Sequence, residues 1–114
     1  MTGYLTTHVL DTARGCPAAG LEITLYRVSG DTRVVCATAT TNADGRTDTP
    51  ILDRAGFALG EYELVFGAGA YLRANGMPDD FLDVIPLRFR MGAQDHYHVP
   101  LLLSPFGYST YRGS

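Results

Sequence analysis

The sequence lacks the features by which several classes of protein are recognised. Its two cysteines, Cys16 and Cys36, are too few and too far apart for a zinc cluster. Because Cys36 lies in an apolar, strand-like run, we expect both thiols to be reduced and structural. No stretch approaches the roughly 18 apolar residues of a transmembrane helix. The N-terminus has no secretory signal pattern and the C-terminus no peroxisomal signal. The sequence therefore predicts a soluble, cytoplasmic protein.

Charge of either sign is also scarce. Charged residues make up 18% of the chain, and 9 basic against 12 acidic residues give a net charge of −3. Without a basic excess, we expect no electrostatic binding to nucleic acid or to an anionic membrane surface. The length of 114 residues and the hydrophobic content of 46% fit one domain, spanning residues 1–114, that can bury a core without disulfides.

Apolar residues recur with a period of two, which is typical of strands with one buried face. Leu21, Ile23 and Leu25 share such a face, and turn-forming residues separate this run from the next. The predicted strands are 4–11, 20–28, 33–40, 46–49, 60–67, 82–90, 95–103 and 106–112. Pro86 makes the sixth of these an edge or bulged strand, and only 51–59 leaves room for a short helix. The pattern predicts an all-β antiparallel sandwich.

His96 and His98 lie two residues apart on a predicted strand, so their side chains point to the same face. One interpretation is a proton-transfer pair, because imidazole titrates near neutral pH. A second is a metal site, for which neither cysteine is suitably spaced and the acidic residues lie in turns or face solvent. The third is two surface histidines, and spacing alone leaves all three open.

His8 shares a face of its predicted strand with Thr6 and Leu10, opposite the predicted core face. This indicates a second surface that is partly apolar. Arg46 follows a tight turn, and its guanidinium is a fork of donors suited to carboxylate-like or imide oxygens. The alternatives are a solvent-facing histidine on an edge strand and an arginine paired with a neighbouring aspartate.

The chain ends on Tyr111, Arg112, Gly113 and Ser114, within a run that still has strand character. Terminal residues usually fray. Because this tail instead keeps strand character and carries a tyrosine, an arginine and a serine, we expect it to form part of a site with the upstream histidines. No Gly-x-Ser-x-Gly elbow and no glycine-rich phosphate loop accompanies it. Ser114 is therefore open to roles as nucleophile, donor or mere terminus.

Four strings together resemble those of one family, the 5-hydroxyisourate hydrolases, which are transthyretin-related enzymes of urate breakdown. The strings are Thr7-His8-Val9-Leu10-Asp11, Asp44-Gly45-Arg46-Thr47-Asp48, His96-Tyr97-His98-Val99-Pro100-Leu101 and the terminal Tyr-Arg-Gly-Ser. The resemblance covers essentially the whole chain. It implies a transthyretin-like sandwich of two four-stranded antiparallel sheets, a homotetramer with sites at the dimer–dimer interface, and no metal or organic cofactor.

The implied activity is hydrolysis of 5-hydroxyisourate to 2-oxo-4-hydroxy-4-carboxy-5-ureidoimidazoline in purine catabolism. The resemblance implies catalytic roles for His8, Arg46 and His98, and substrate contacts from His8, Arg46, Tyr111 and Ser114. Either histidine would activate the attacking water, while Arg46 would stabilise the oxyanion.

Two other functions remain open at this point. One is a non-catalytic, transthyretin-like protein that binds a small aromatic ligand, and the other is a sandwich module for protein–protein contact. The intact set of His8, Arg46, His98 and the tail favours the enzyme. His96 matches the family string, but we expect it at the pocket rim and outside the catalytic set.

Overall fold

A computed structural model of the protein describes residues 2–113, and in them it has eight strands and one helix. The elements are β1 (Tyr4–Asp11), β2 (Cys16–Pro17), β3 (Glu22–Ser29), β4 (Thr32–Thr40), β5 (Gly60–Phe66), α1 (Ala68–Ala74), β6 (Ile85–Met91), β7 (His96–Ser104) and β8 (Gly107–Thr110). The first sheet has the strand order β2-β1-β7-β8 and the second has the order β4-β3-β5-β6. The predicted sandwich of two four-stranded sheets is confirmed.

One strand pair departs from the predicted antiparallel arrangement. Strands β1 and β7 run parallel, with Tyr4 opposite His96, Thr6 opposite His98 and His8 opposite Pro100. The other paired strands of the two sheets are antiparallel. The parallel pair joins the first long strand of the chain to one that begins more than eighty residues later. It thereby brings two distant segments onto one face.

The core lies between the two sheets and follows the predicted alternation. Strand β1 buries every second side chain, including Leu5 and Val9, and β7 buries Leu101 and Leu103 in the same way. Burial of each such aliphatic side chain contributes about 1.5–3 kcal/mol. The alternate side chains of β1 and β7, with the two histidines of β7 among them, are therefore held on the outer face of the first sheet.

The helix lies at Ala68–Ala74 and not within 51–59, where the sequence suggested it. Its buried residues Ala68, Tyr71 and Leu72 have the i, i+3, i+4 spacing of a helix face. Gly69 weakens the helical signal of this segment in the sequence. Glycine is needed at this position because a Cβ there would lie 3.0 Å from the Cα of Asp83. By contrast, 51–59 is a turn-containing loop.

The predicted strand 46–49 is also wrong. Only Arg46 pairs there, through an isolated antiparallel bridge to His8, and a second bridge joins Leu52 to Leu5. The two-residue strand β2 (Cys16–Pro17) lies outside all the predicted strands. Both segments are short partners of β1, and neither is long enough to show a period of two.

Two acidic side chains contradict the expectation that acidic residues face solvent or lie in turns. Asp11 at the end of β1 is only 1% exposed and accepts a hydrogen bond from the Tyr71 hydroxyl at 2.7 Å. Burial and this hydrogen bond raise the pKa of Tyr71 to about 12. Glu63 is buried on β5 and pairs with Arg33 of β4 and Arg88 of β6 in the same sheet. Both carboxylates thus serve the fold.

The edge strands test two further predictions. Strand β6, which carries Pro86, is an edge strand as predicted. Cys16 and Cys36 are free thiols, but the structural role expected for Cys36 is wrong, because its side chain is exposed on edge strand β4.

Within residues 2–113, no helix is long and apolar enough to cross a membrane.

Candidate active site

A tight turn from Asn42 to Gly45 brings Arg46 beside His8. The side-chain oxygen of Asn42 accepts a hydrogen bond from the Arg46 N–H at 3.2 Å, and the Asn42 N–H donates to the Arg46 carbonyl at 2.8 Å. Gly45 has φ 72°, and its carbonyl accepts a hydrogen bond from Val9 on β1 at 2.8 Å. A Cβ on residue 45 would collide with the Val9 carbonyl oxygen. Glycine is therefore required where this turn meets β1.

His96 and His98 lie on the outer face of the first sheet with their ring centroids 6.2 Å apart. The Thr6 hydroxyl lies between them, 2.6 Å from His96 Nε2 and 2.8 Å from His98 Nδ1. The His96 ring also stacks on the ring of Tyr4, with centroids 4.1 Å apart and an interplanar angle of 4°. Strand β1 thus holds both imidazoles of β7 in fixed orientations.

The tail returns to β7 next to His98. The Gly113 N–H donates to the His98 carbonyl at 2.7 Å, and a Cβ on residue 113 would lie 2.7 Å from His98 Cδ2. Only a residue without a side chain fits this close to the imidazole. The Arg112 guanidinium lies 4.3 Å from the centroid of the Tyr97 ring. The prediction that the tail approaches the histidines is therefore correct for this glycine.

The prediction that Tyr111 and Ser114 lie at the same site is not supported by the single chain. Tyr111 is 59% exposed and lines a separate cavity of about 370 Å³ between β6 and β8, which also contains Leu87 and Val99. Within this single chain it does not border the cavity at the histidines. Ser114 lies outside the described residues.

An open cavity of about 440 Å³ adjoins the histidines. Its lining includes Tyr4, Thr6, Arg46, His96 and His98. His8 is half-buried on the same face of β1 and does not line this cavity directly. Side chains from β1, from the loop after the Asn42 turn and from β7 therefore meet at one concave surface.

The environment disfavours the charged form of both candidate bases. Burial, and then the positive charge of Arg46, lower the pKa of His98, with smaller contributions from His96 and His8. Burial and Arg46 also lower the pKa of His8, while a backbone hydrogen bond to Asp44 and the charge of its carboxylate oppose them. Both imidazoles are therefore neutral at neutral pH and have a lone pair that can accept a proton.

The same surface offers little to a metal ion. Within residues 2–113, no group of three or more His, Cys, Asp or Glu side chains lies close enough together to hold one. His96 and His98 have the Thr6 hydroxyl between them instead. Of the interpretations that spacing left open, the arrangement favours proton transfer.

Sequence reasoning placed Thr6 on the face of His8 but gave it no role, and it did not consider Tyr4. Both contact the histidines only because β1 and β7 pair in parallel with a register that sets Thr6 opposite His98. The sequence signal was their period-two spacing from His8 along β1. This spacing identifies the face of β1 on which Tyr4 and Thr6 lie, but it does not identify β7 as the neighbouring strand.

Comparison with known proteins identifies the family. The model of the HIUase/Transthyretin family matches residues 5–113. The chain belongs to this family. The resemblance found in the four sequence strings is thereby confirmed.

Members of the HIUase/Transthyretin family that resemble this chain include 5-hydroxyisourate hydrolases and a transthyretin. The chain is 62% identical to 5-hydroxyisourate hydrolase 2 of Rhizobium meliloti, over 99% of this chain and 98% of that protein. It matches the structure of Klebsiella pneumoniae 5-hydroxyisourate hydrolase at 36% identity and a TM-score of 0.84, over 98% of this chain and 99% of the other. It also matches sea bream transthyretin in complex with thyroxine at 29% identity and a TM-score of 0.87, over 96% and 93% of the two chains.

Proposed function

We propose that this protein hydrolyses 5-hydroxyisourate to 2-oxo-4-hydroxy-4-carboxy-5-ureidoimidazoline. The observation that carries the proposal is the convergence of His8, Arg46 and His98, from three separate segments, on the outer face of the first sheet. The 62% identity to a relative named as this hydrolase, over nearly the full length of both chains, supports the same activity.

The reaction needs a base for water, and two neutral imidazoles are available. A water molecule held at the cavity gives its proton to His98, which lines the cavity, or to His8, which lies beside Arg46 on the same face, as its oxygen attacks the ring carbonyl. The lowered pKa values of both histidines support this role, because each is unprotonated at neutral pH. General acid–base assistance of this kind contributes about 10²–10⁴-fold to a rate.

Arg46 is the proposed electrostatic partner of the transition state. When water adds to the carbonyl carbon, negative charge develops on the carbonyl oxygen, and a fixed guanidinium stabilises it. The C–N bond of the ring then breaks, and the departing nitrogen takes up the proton that the imidazole accepted from water, which returns that imidazole to its neutral form. No covalent enzyme intermediate is required, because the strained ring is already reactive toward water.

Tyr111 and Ser114 complete the proposed substrate-binding set. The bond between the Gly113 N–H and the His98 carbonyl supports a tail that ends beside the cavity. Tyr111 lies farther away in the isolated chain, so its contact with substrate requires movement of the tail or assembly of subunits.

The proposed assembly is a homotetramer with the sites where its two dimers meet. The open outer face of the first sheet and the exposed Phe106 and Tyr108 at the β7–β8 hairpin support a covered surface there. Light scattering coupled to size-exclusion chromatography measures the mass directly. We further propose that the enzyme works in the cytoplasm on a free small molecule, without nucleic acid or membrane partners, in keeping with its net charge of −3.

The activity is tested with urate and urate oxidase, which generate 5-hydroxyisourate in place. Its ultraviolet decay is followed with the protein far below the substrate concentration. Faster decay with many turnovers per subunit supports the hydrolase. Decay equal to that without protein, in a folded sample, contradicts it and favours a binding protein for a small aromatic ligand.

A further inference from the structure

The Thr6 hydroxyl makes contacts that the proposed mechanism does not yet use. It lies 2.6 Å from Nε2 of His96 and 2.8 Å from Nδ1 of His98, and all three side chains lie on one face of paired strands. Both distances are those of good hydrogen bonds. The branched threonine has few rotamers in a strand, so its oxygen is held at this point.

Counting protons limits the possible arrangements. A hydroxyl has one proton to donate, and each neutral imidazole carries one N–H and one lone pair. When both rings are neutral and both bonds are made, Thr6 donates to one ring and accepts from the other. The tautomers of His96 and His98 are therefore linked through a single oxygen.

The proposed function decides which arrangement is productive. Nδ1 of His98 is occupied by Thr6, so only Nε2 remains to take a proton from water. Nε2 has a free lone pair only if the proton of neutral His98 is on Nδ1. In that arrangement His98 Nδ1–H donates to Thr6, and the Thr6 hydroxyl donates to Nε2 of His96.

We infer that Thr6 is a positioning residue, which holds His98 in the Nδ1–H tautomer by using His96 as the acceptor of its own proton. This inference rests on the proposed function. It gives His96 a purpose, since the stacked and oriented ring of His96 supplies the lone pair that fixes the direction of the Thr6 proton. Thr6 itself need not touch the substrate.

Charged and titratable groups around the pair come from every neighbouring segment. His8 lies on β1, Arg46 and Asp48 on the loop beside β1, and Asp95 and Arg112 near the start of β7 and the tail. Of these groups, Arg46 and His8 lower the pKa of His98. They do not choose between the two nitrogens of a neutral ring, because no hydrogen bond joins any of their side chains to His98 within residues 2–113.

Nitrogen NMR tests the tautomer independently of activity. The chain has three histidines, so ¹⁵N-histidine labelling gives three ring systems that single substitutions assign. At a pH where all rings are neutral, we expect His98 with its proton on Nδ1. Thr6→Val keeps the shape and removes the hydroxyl, so His98 should lose this preference, and Thr6→Ser should restore it. His98 with its proton on Nε2 in the unaltered protein overturns the inference.

Kinetics supply the second readout. For Thr6→Val we expect kcat to fall about 10-fold or more, with KM changed less than about 3-fold, and Thr6→Ser to recover most of the loss. Thr24→Val is the matched control, because Thr24 is a half-buried threonine on β3 of the second sheet. Undiminished kcat in Thr6→Val overturns the inference while the hydrolase stands. A wild-type protein without turnover instead refutes the proposed function, and the NMR spectrum still decides the tautomer.

Discussion

Replacing Gly45 with alanine should damage the fold and the site together. The residue has φ 72°, a left-handed conformation that costs an alanine about 1–2 kcal/mol. The new Cβ would also collide with the Val9 carbonyl oxygen. Relief of that collision moves the turn away from β1 and breaks the 2.8 Å bond from the Val9 N–H to the Gly45 carbonyl. Leaving a buried N–H without its partner costs about 1–3 kcal/mol more.

A matched substitution separates these effects. Gly30 has φ 59° in the β3–β4 turn, and a Cβ there meets nothing within 4 Å. Gly30→Ala should therefore lose only about 1–2 kcal/mol, whereas Gly45→Ala should lose about 2–5 kcal/mol. With about 4 °C of Tm per kcal/mol for a domain of this size, the expected falls are about 4–8 °C and about 8–20 °C.

Activity distinguishes the two variants more sharply than stability. The Gly45 turn carries Arg46, and a misplacement of about 1 Å can cost about 10²-fold in rate. At a temperature well below both transitions, Gly45→Ala should lose about 10²-fold in kcat/KM, while Gly30→Ala should match the wild type. Thermal unfolding by circular dichroism and the urate-oxidase-coupled assay measure both quantities. Equal falls in Tm, or full activity in Gly45→Ala, would show that the contact of this turn with β1 does not set the position of Arg46.

Two further predictions concern Arg46 and the tail. Because the charge of Arg46 lowers the pKa of His8 and His98, Arg46→Gln should raise both toward the ordinary value and move the acid limb of the kcat/KM profile to higher pH. Arg46→Lys keeps the charge and should leave that limb in place, and so should the control Arg73→Gln on the remote helix α1. An unmoved acid limb in Arg46→Gln would contradict this electrostatic role of Arg46. Deleting residues 111–114 removes the Gly113 bond to His98, so turnover should fall by orders of magnitude while the mass and Tm of the protein stay nearly unchanged. Unchanged rates in the truncated protein would exclude the tail from the site.

The sequence predicted those features that depend on local periodicity. Alternation along β1 correctly separated the buried residues, such as Val9, from the face of His8, because a strand with one buried face must alternate. Pro86 correctly marked an edge, because proline cannot donate to a ladder. The four family strings correctly identified the family, since several specific strings in a fixed order carry more information than any one residue.

Features that depend on distant contacts could not be predicted in the same way. The parallel pairing of β1 with β7, and with it the position of Thr6 between His96 and His98, joins residues about ninety positions apart. No local pattern records such a register. Helix α1 was missed because Gly69 weakens its helical signal, although the close approach of Asp83 requires that glycine.

The role proposed for His98 is in the hydrolysis itself and not only in support of the fold. The most direct measurement compares wild type with His98→Asn in the coupled 5-hydroxyisourate assay, with mass and Tm recorded on the same samples. Asparagine can keep a side-chain polar atom near Thr6 but cannot act as the base. We predict a loss of about 10²–10⁴-fold in kcat with unchanged mass and nearly unchanged Tm. Wild-type turnover in the variant, or a loss explained by dissociation or unfolding, would show that His98 is not the base.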